Sequence, residues 1–271
     1  MSLGIRWTIG DVSPLGFFAL RLAIHGAYRI FGARASYAVT VNTVPVREAQ
    51  ERAGALPCAV LWHCSTPAEI PTLLRDRLGG GMAEGVGWKF APLRLFPDAF
   101  ELSFDNDCIL WEAPPAVRRF SEGLERFVIA EDVRRCVGKF DALCGPGARN
   151  SGIRALPPRF DLAAAFAAVL EEVPGTLGSE LDEQGLQVAA LERAGPVAVV
   201  GIDDVSICSP FPPHVARLGR CGAHFVGLNA KRFAWTYAGR PAEELVSENF
   251  LRNAREIARR VAAIEPLLIS A

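Results

Sequence analysis

Asp105 and Asp107 stand one residue apart inside the run from Phe100 to Trp111, Phe-Glu-Leu-Ser-Phe-Asp-Asn-Asp-Cys-Ile-Leu-Trp. The run reads as an apolar strand that ends in the acidic pair and then resumes as a second apolar run. Ionised carboxylates at the edge of a buried strand are costly without a partner. Two of them about 4 Å apart repel by roughly 4 kcal/mol at an effective dielectric of ~20. No Lys or Arg lies between Arg94 and Arg118, so the sequence offers the pair no local salt bridge. A divalent cation shared by both groups relieves the repulsion. At the carboxyl end of a strand, such a cation is also placed to meet a diphosphate. The competing explanation is a solvated turn or helix cap, where such triplets are frequent. The apolar strands on both sides favour the metal.

Other residues could serve the same anion. Lys89 and Arg94 stand shortly before the acidic pair, although Arg94 could instead pair with Asp98, four residues on. His224 lies in a glycine-rich, cysteine-bearing stretch from Gly219 to Gly227, with Lys231 beyond it. His25, His63 and His214 have no carboxylate constellation nearby in sequence and read as structural. Trp88 and Trp235 flank these elements; each is either core or a surface on which a ring could stack.

The elements that must position these side chains alternate. Ile5 to Asp11 reads as a strand, with Ser13 and Pro14 opening a helix that Gly32 closes. Ser36 to Asn42 is a second strand, Val46 to Ala53 a helix, Cys58 to Cys64 a third strand and Pro67 to Leu78 a third helix. The run Gly79 to Gly81 then breaks the pattern. Alternation of this kind predicts an α/β domain with a largely parallel sheet flanked by helices. Ligands in such sheets bind at strand carboxyl ends, where Asp11, Asn42 and Asp105 would all lie. After Pro114 and Pro115 the pattern is less regular. Helices are expected over Asp161 to Glu172, Leu181 to Arg193 and Ala242 to Ala263. A strand is expected over Val197 to Gly201, and a late strand with its loop over Gly222 to Asn229. One domain with two unequal halves, 1–115 and 116–271, is the expectation.

Composition excludes several classes. The 271 residues are half hydrophobic, enough for one large core. A net charge of −1 and a pI near 6.5 argue against nucleic acid or a polybasic membrane patch. Seven cysteines with no Cys-x-x-Cys pair read as reduced core residues of a cytoplasmic protein. The most apolar segment, Leu15 to Phe31, carries Arg21, His25 and Arg29 on one helical face, so no transmembrane span is expected. That face is read as solvated.

The landmarks fall in a familiar order. An early strand ending in Asp11 is followed by Lys89 and Arg94, then Asp105-Asn-Asp107, then Asn150-Ser-Gly152. Glu183-Gln184 comes early in a helix, and His224-Phe-Val-Gly227 precedes Lys231. From about residue 5 to about 235, this set resembles GT-A-fold glycosyltransferases, most closely the retaining glycogenin and galactosyltransferase-like family.

The resemblance implies that Asp105, Asp107 and His224 hold Mn²⁺ or Mg²⁺. It also implies that Asp11, Asn42, Lys89, Arg94, Asp105, Asn106, Asn150, Gly152 and Lys231 serve the nucleotide-sugar donor, with a UDP-sugar favoured. Gln184 would lie beside the anomeric carbon and share the catalytic role with Asp107. Two carboxylates plus an imidazole suit Mn²⁺ better than Mg²⁺. Glycan, lipid-linked or small-molecule acceptors are the expected partners, taken up by variable loops such as Ser209 to Pro213.

One departure stands out: Glu183-Gln184-Gly185 replaces the family's usual Asp-Gln-Asp, so a carboxylate expected to contact the sugar is missing or displaced. A non-catalytic nucleotide-sugar binder and a sugar-phosphate nucleotidylyltransferase are the alternatives. The latter lacks support, because Thr8 to Pro14 contains no glycine-rich loop.

Overall fold

The computed structural model describes residues 2–79 and 85–261. The first strands are β1 (Leu3–Ile9), β2 (Ala35–Val41), β3 (Leu61–Cys64), β4 (Phe100–Asp105) and β5 (Cys108–Leu110). They are followed by β6 (Phe127–Glu131), β7 (Arg149–Leu156), β8 (Val197–Val200), β9 (Val205–Ile207) and β10 (Gly222–His224). A short hairpin, β11 (Thr236–Tyr237) and β12 (Arg240–Pro241), precedes the last helix, Ala242–Val261.

Seven strands form one sheet in the order β3-β2-β1-β4-β7-β6-β8. The first four run parallel, β7 is reversed against both β4 and β6, and β8 is parallel to β6. The sheet is therefore mostly parallel, with helices flanking it. Strands from both sides of Pro114 and Pro115 share it. A smaller sheet, β5-β10-β9, sits beside it.

Alternation along β6 divides the core. Val128 and Ala130 join the apolar cluster that contains the helices Pro14–Phe31 and Ala242–Val261. Phe127 and Ile129 join a second cluster, built on the helices Leu162–Glu172 and Glu180–Ala194. The Pro14–Phe31 helix starts where the Ser13 hydroxyl accepts from the Gly16 N–H at 3.2 Å, and it stops at Gly32 with φ +57°. Its Arg29 is exposed, and Arg21 and His25 are half-buried. Among the described residues, no helix is long and apolar enough to cross a membrane.

Several elements differ from expectation. The helix expected over Pro67 to Leu78 is a 3₁₀ turn, Pro67–Glu69, and a single helical turn, Thr72–Arg75. Pro71 has no N–H to donate and clashes with the preceding turn, so it splits the element. β6 and β7, absent from the expected set, are central. Of the seven cysteines, only Cys108, Cys208 and Cys221 are buried and Cys64 is exposed; all are free. Most of the run Gly79 to Gly81 lies outside the described residues, as do the last two residues of the expected closing helix.

Gly26 fixes how closely the first helix approaches β5. A Cβ there would lie 1.8 Å from the Leu110 carbonyl oxygen, which is backbone and cannot swing aside. Gly26→Ala is expected to cost about 1–3 kcal/mol. At Gly201 an added Cβ meets only Glu131 at 3.5 Å, and Gly201→Ala should stay within about 0.5 kcal/mol. Urea denaturation of both variants is the check; equal midpoints would show that the approach is not constrained.

Candidate active site

The parallel registers align three carboxyl ends. Thr8 of β1 pairs with Thr40 of β2 and with Asp105 of β4, so Asp11, Asn42 and Asp105 emerge at one sheet edge. The reversed β7 enters from that same edge. Its Ile153 pairs with Phe104, which carries Asn150, Ser151 and Gly152 beyond the end of β4. The small sheet completes the site. His224 pairs with Cys108, and the Phe225 N–H donates to the Asp107 carbonyl at 3.0 Å, so the imidazole comes to rest beside both carboxylates. These groups line a cleft of about 910 Å³.

Asp105, Asp107 and His224 each offer a ligand atom, and these atoms lie within 4.8 Å of one another. The imidazole Nε2 is 3.5 Å from Asp105 Oδ2 and 3.3 Å from Asp107 Oδ1. Asp107 Oδ2 accepts from the Asn229 amide at 3.2 Å, but its Oδ1 is buried with no aligned hydrogen bond. A buried carboxylate oxygen that meets only the imidazole, without an aligned hydrogen bond, is suited to a cation ligand. Two carboxylates and an imidazole fit a divalent metal such as Mn²⁺.

The sequence offers the acidic pair no local salt bridge, and the structure supplies one from farther back in the chain. Lys89 reaches back from the 3₁₀ turn Val86–Phe90 and places its Nζ 2.7 Å from Asp105 Oδ1 and 3.7 Å from Glu183 Oε2. The turn is anchored from beneath. Arg6, buried on β1, donates to the Pro92 carbonyl at 2.9 Å and lies 3.9 Å from Glu101. Glu101 in turn accepts from the backbone N–H groups of Leu95 and Phe96 at 2.7 and 2.6 Å. A separation of sixteen residues hides this contact from any local reading of charge.

The remaining expected residues divide. Asp11, Asn42, Asn106, Asn150 and Gln184 all line the cleft. Asn106 is engaged in a reciprocal amide pair with Asn229, at 2.7 and 2.9 Å, and also donates to the Gly16 carbonyl. Asn150 bridges Asp132 and the Gly152 N–H. Gly152 itself packs against the imidazole: a Cβ there would lie 2.4 Å from His224 Cε1.

Gln184 is held at both ends, its carbonyl accepting from Ser151 N–H at 3.2 Å and its amide donating to the Cys136 carbonyl at 2.7 Å. Lys231 stands outside the cleft lining and pairs with Asp11 at 2.5 Å.

Arg94 is not brought to the cleft. Its guanidinium donates to the carbonyls of Pro157, Phe160, Phe96 and Ala99, and Asp98 pairs instead with Arg159 at 3.2 Å. Of the histidines read as structural, His63 does have a carboxylate partner, Glu69 at 2.7 Å, and His214 lines the cleft.

Gly185 does not face the cleft. A Cβ there would lie 2.0 Å from the Val137 carbonyl oxygen, so the glycine is required by the packing of the helix on that turn. The carboxylate expected at this position is therefore not missing from the cleft wall.

Sequence reading missed Ser151, Arg154, Gln187 and Asn229, which also line the cleft. Arg154 and Gln187 could have been found only by knowing that β7 is reversed and that the helix Glu180–Ala194 presents positions 183, 184 and 187 to it. Glu183 accepts from Ser151 at 3.2 Å and from Gln187, and Gln187 in turn accepts from Arg154 at 2.5 Å. Burial pushes the Glu183 carboxyl up, outweighing the nearby ammonium of Lys89.

In the metal-free protein, burial works against a charged His224, but the two carboxylates outweigh it and carry its pKa up to about 10. Burial likewise opposes ionisation of Asp105, while Lys89 and His224 hold it well below the usual carboxylate range. A raised folded-state pKa means that the native state holds a proton the unfolded chain releases above about 6.5. Stability from this contact is thus complete below about pH 6.5 and is lost as pH climbs through about 10, at up to ~1.4 kcal/mol per pH unit. With chelator present, the melting temperature should fall over that window, and His224→Gln should flatten the fall. Binding of Mn²⁺ at pH 7.5 should release about one proton, measurable by calorimetry in buffers of different ionisation heat. A flat melting profile in the native protein would remove the imidazolium from between the carboxylates.

No family model matches the chain, and no curated protein matches it. Solved structures do. The galactosyltransferase LgtC in complex with donor and acceptor sugar analogues aligns over 97% of this chain and 97% of that one, with a TM-score of 0.56 and 11% identity. An active-site mutant of LgtC aligns over 92% and 95%, with a TM-score of 0.53 and 12% identity. Mouse xyloside xylosyltransferase 1, without ligand, aligns over 85% and 99%, with a TM-score of 0.50 and 12% identity. Identities this low speak to architecture, and the architecture is clear: the chain has the GT-A glycosyltransferase fold.

Proposed function

We propose that this protein is a metal-dependent glycosyltransferase that moves a sugar from a nucleotide-diphosphate donor, a UDP-sugar, to an acceptor hydroxyl with retention of anomeric configuration. The observation that carries this reading is the meeting of Asp105, Asp107 and His224 at the carboxyl ends of β1, β2 and β4, with the buried Asp107 Oδ1 facing the imidazole at 3.3 Å. The fold shared with a galactosyltransferase and a xylosyltransferase supports it. An active-site variant of LgtC replaces a glutamine, and a glutamine, Gln184, lies in this cleft too.

Each residue has a share in the chemistry. Asp105, Asp107 and His224 would hold the divalent cation, which supplies Lewis-acid neutralisation of the departing diphosphate. Gly10, Asp11, Asn42 and Thr43 line the end of the cleft that suits the nucleoside. Lys89 adds a positive charge between that end and the sugar pocket, where it is shared by Asp105 and Glu183. Gln184 uses one donor and one acceptor on the protein and keeps one of each for the sugar.

Glu183 is a poor candidate for a covalent nucleophile, because both its oxygens already accept hydrogen bonds. The acceptor oxygen therefore attacks the anomeric carbon from the face the diphosphate leaves. The C–O bond to phosphate breaks as the new glycosidic bond forms, and the acceptor proton passes to the leaving phosphate oxygen.

Two outcomes are expected. A UDP-sugar at a hundredfold excess over Kd should stabilise the wild-type protein by about 2.7 kcal/mol when Mn²⁺ is present. That is a shift of roughly 5–10 °C for a chain of this size. Asp107→Asn should keep its fold by circular dichroism yet lose the Mn²⁺-dependent shift. A shift that survives in the variant would end the metal-site reading. In the second experiment, proton NMR of the first-formed product should show the donor's anomeric configuration. An inverted product would exclude front-face attack.

A further inference from the structure

The cleft wall formed by Pro212, Pro213 and His214 continues outward into an aromatic surface. Phe211, the residue just before that wall, packs its ring 4.7 Å from Trp235 and 5.4 Å from Tyr237, centroid to centroid. Phe233 lies 5.6 Å from Trp235, and a Cβ on Gly227, which lines the cleft, would come within 3.0 Å of its ring. Trp235 and Tyr237 are each 44% exposed, large apolar side chains left in contact with solvent.

The segment that carries them is built for presentation. β11 and β12 form a two-stranded sheet of their own, separate from both larger sheets. The turn between them, Ala238-Gly239, has φ +50° and +78°, the mirror-image turn that suits a tight hairpin. Ala238 accepts a left-handed backbone without being glycine, a strain that persists only where the surroundings hold it.

Two of the nearby cations are paired, while Arg232 is exposed without a partner among the described residues. Arg240 is paired with Glu244 and Glu248, and Lys231 with Asp11. The rings themselves carry no charge, and they adjoin the cleft through Phe211 and Gly227. They suit an uncharged partner with apolar faces and polar edges, which is the chemistry of a pyranose ring.

We propose that the Trp235–Tyr237 hairpin is the acceptor platform of the cleft. A neutral oligosaccharide stacks its rings on Trp235 and Tyr237 while its terminal hydroxyl enters between Pro212–His214 and Gly227–Ala230. This assignment rests on the transferase reading and narrows its acceptor to a saccharide of at least two rings.

The test uses the full chain and its tryptophan fluorescence. Wild-type protein, Trp235→Ala and Trp235→Tyr are titrated with lactose, cellotriose, maltotriose and mannotriose. At least one sugar should shift the wild-type emission at millimolar concentration. Competition titration calorimetry should show its Kd at least tenfold weaker in Trp235→Ala and within about threefold of wild type in Trp235→Tyr, which keeps a ring.

Three results would overturn the platform: no response to any of the four sugars; a response that persists in Trp235→Ala; or Trp235-dependent binding to phosphatidylglycerol vesicles or to a second copy instead. Calorimetry with UDP and Mn²⁺ on the same samples separates this from the parent reading. Nucleotide binding that fails while the sugar binds strikes the transferase reading, and the reverse strikes only the platform.

Discussion

Negative charge at the end of β4 is the constraint around which the rest of the site is arranged. Asp105 and Asp107 are held a residue apart at the mouth of a buried strand, where water does little to screen them. Each partner group arrives from a different part of the chain. Lys89 comes from the turn before β4, His224 from the end of β10 and the Asn229 amide from the loop after it. Folding can therefore satisfy the pair only by assembling the cleft. In the metal-free protein His224 takes up a proton to do so, and a divalent cation is the natural replacement for that proton.

The supporting layer is equally polar and almost wholly buried. Arg6 and Glu101 sit beneath the turn that carries Lys89, and Arg154, Gln187, Glu183 and Ser151 form a continuous chain of hydrogen bonds beside it. Breaking such a network exposes a buried charge, which costs far more than the pair contributes when intact. Its effect is to hold Lys89 and Gln184 in place before any ligand arrives. That kind of preorganisation suits a site whose work is to stabilise developing charge.

Glycine sets the close approaches. Gly152 lets the imidazole approach β7 closely, and Gly185 lets the helix Glu180–Ala194 settle onto the Val137 carbonyl, with Glu183 and Gln184 lining the cleft. By the motif alone, Gly185 stands where a sugar-contacting carboxylate is expected. Its neighbours show a packing requirement instead. A residue type in a motif carries its meaning only together with the direction its Cβ would take.

Much of this protein is legible in the order of its residues. The alternation of strands and helices through residue 64, the capping of the first helix by Ser13, Pro14 and Gly32, and the acidic pair at the end of β4 all follow from local propensity and periodicity. So does the α/β class. The tertiary structure alone decided which distant groups meet. Asp105 and Lys89 are sixteen residues apart and Asp107 and His224 more than a hundred, and charges so separated leave no mark in a local pattern. The reversal of β7 brings Asn150 to Gly152 to the site. It depends on which neighbours hydrogen-bond to that strand, a choice made by the whole sheet. Arg94 shows the converse: its sequence position suited a donor anion, yet four backbone carbonyls hold it elsewhere. Side-chain chemistry is local and readable; charge compensation and strand order are long-range, and only the folded chain settles them.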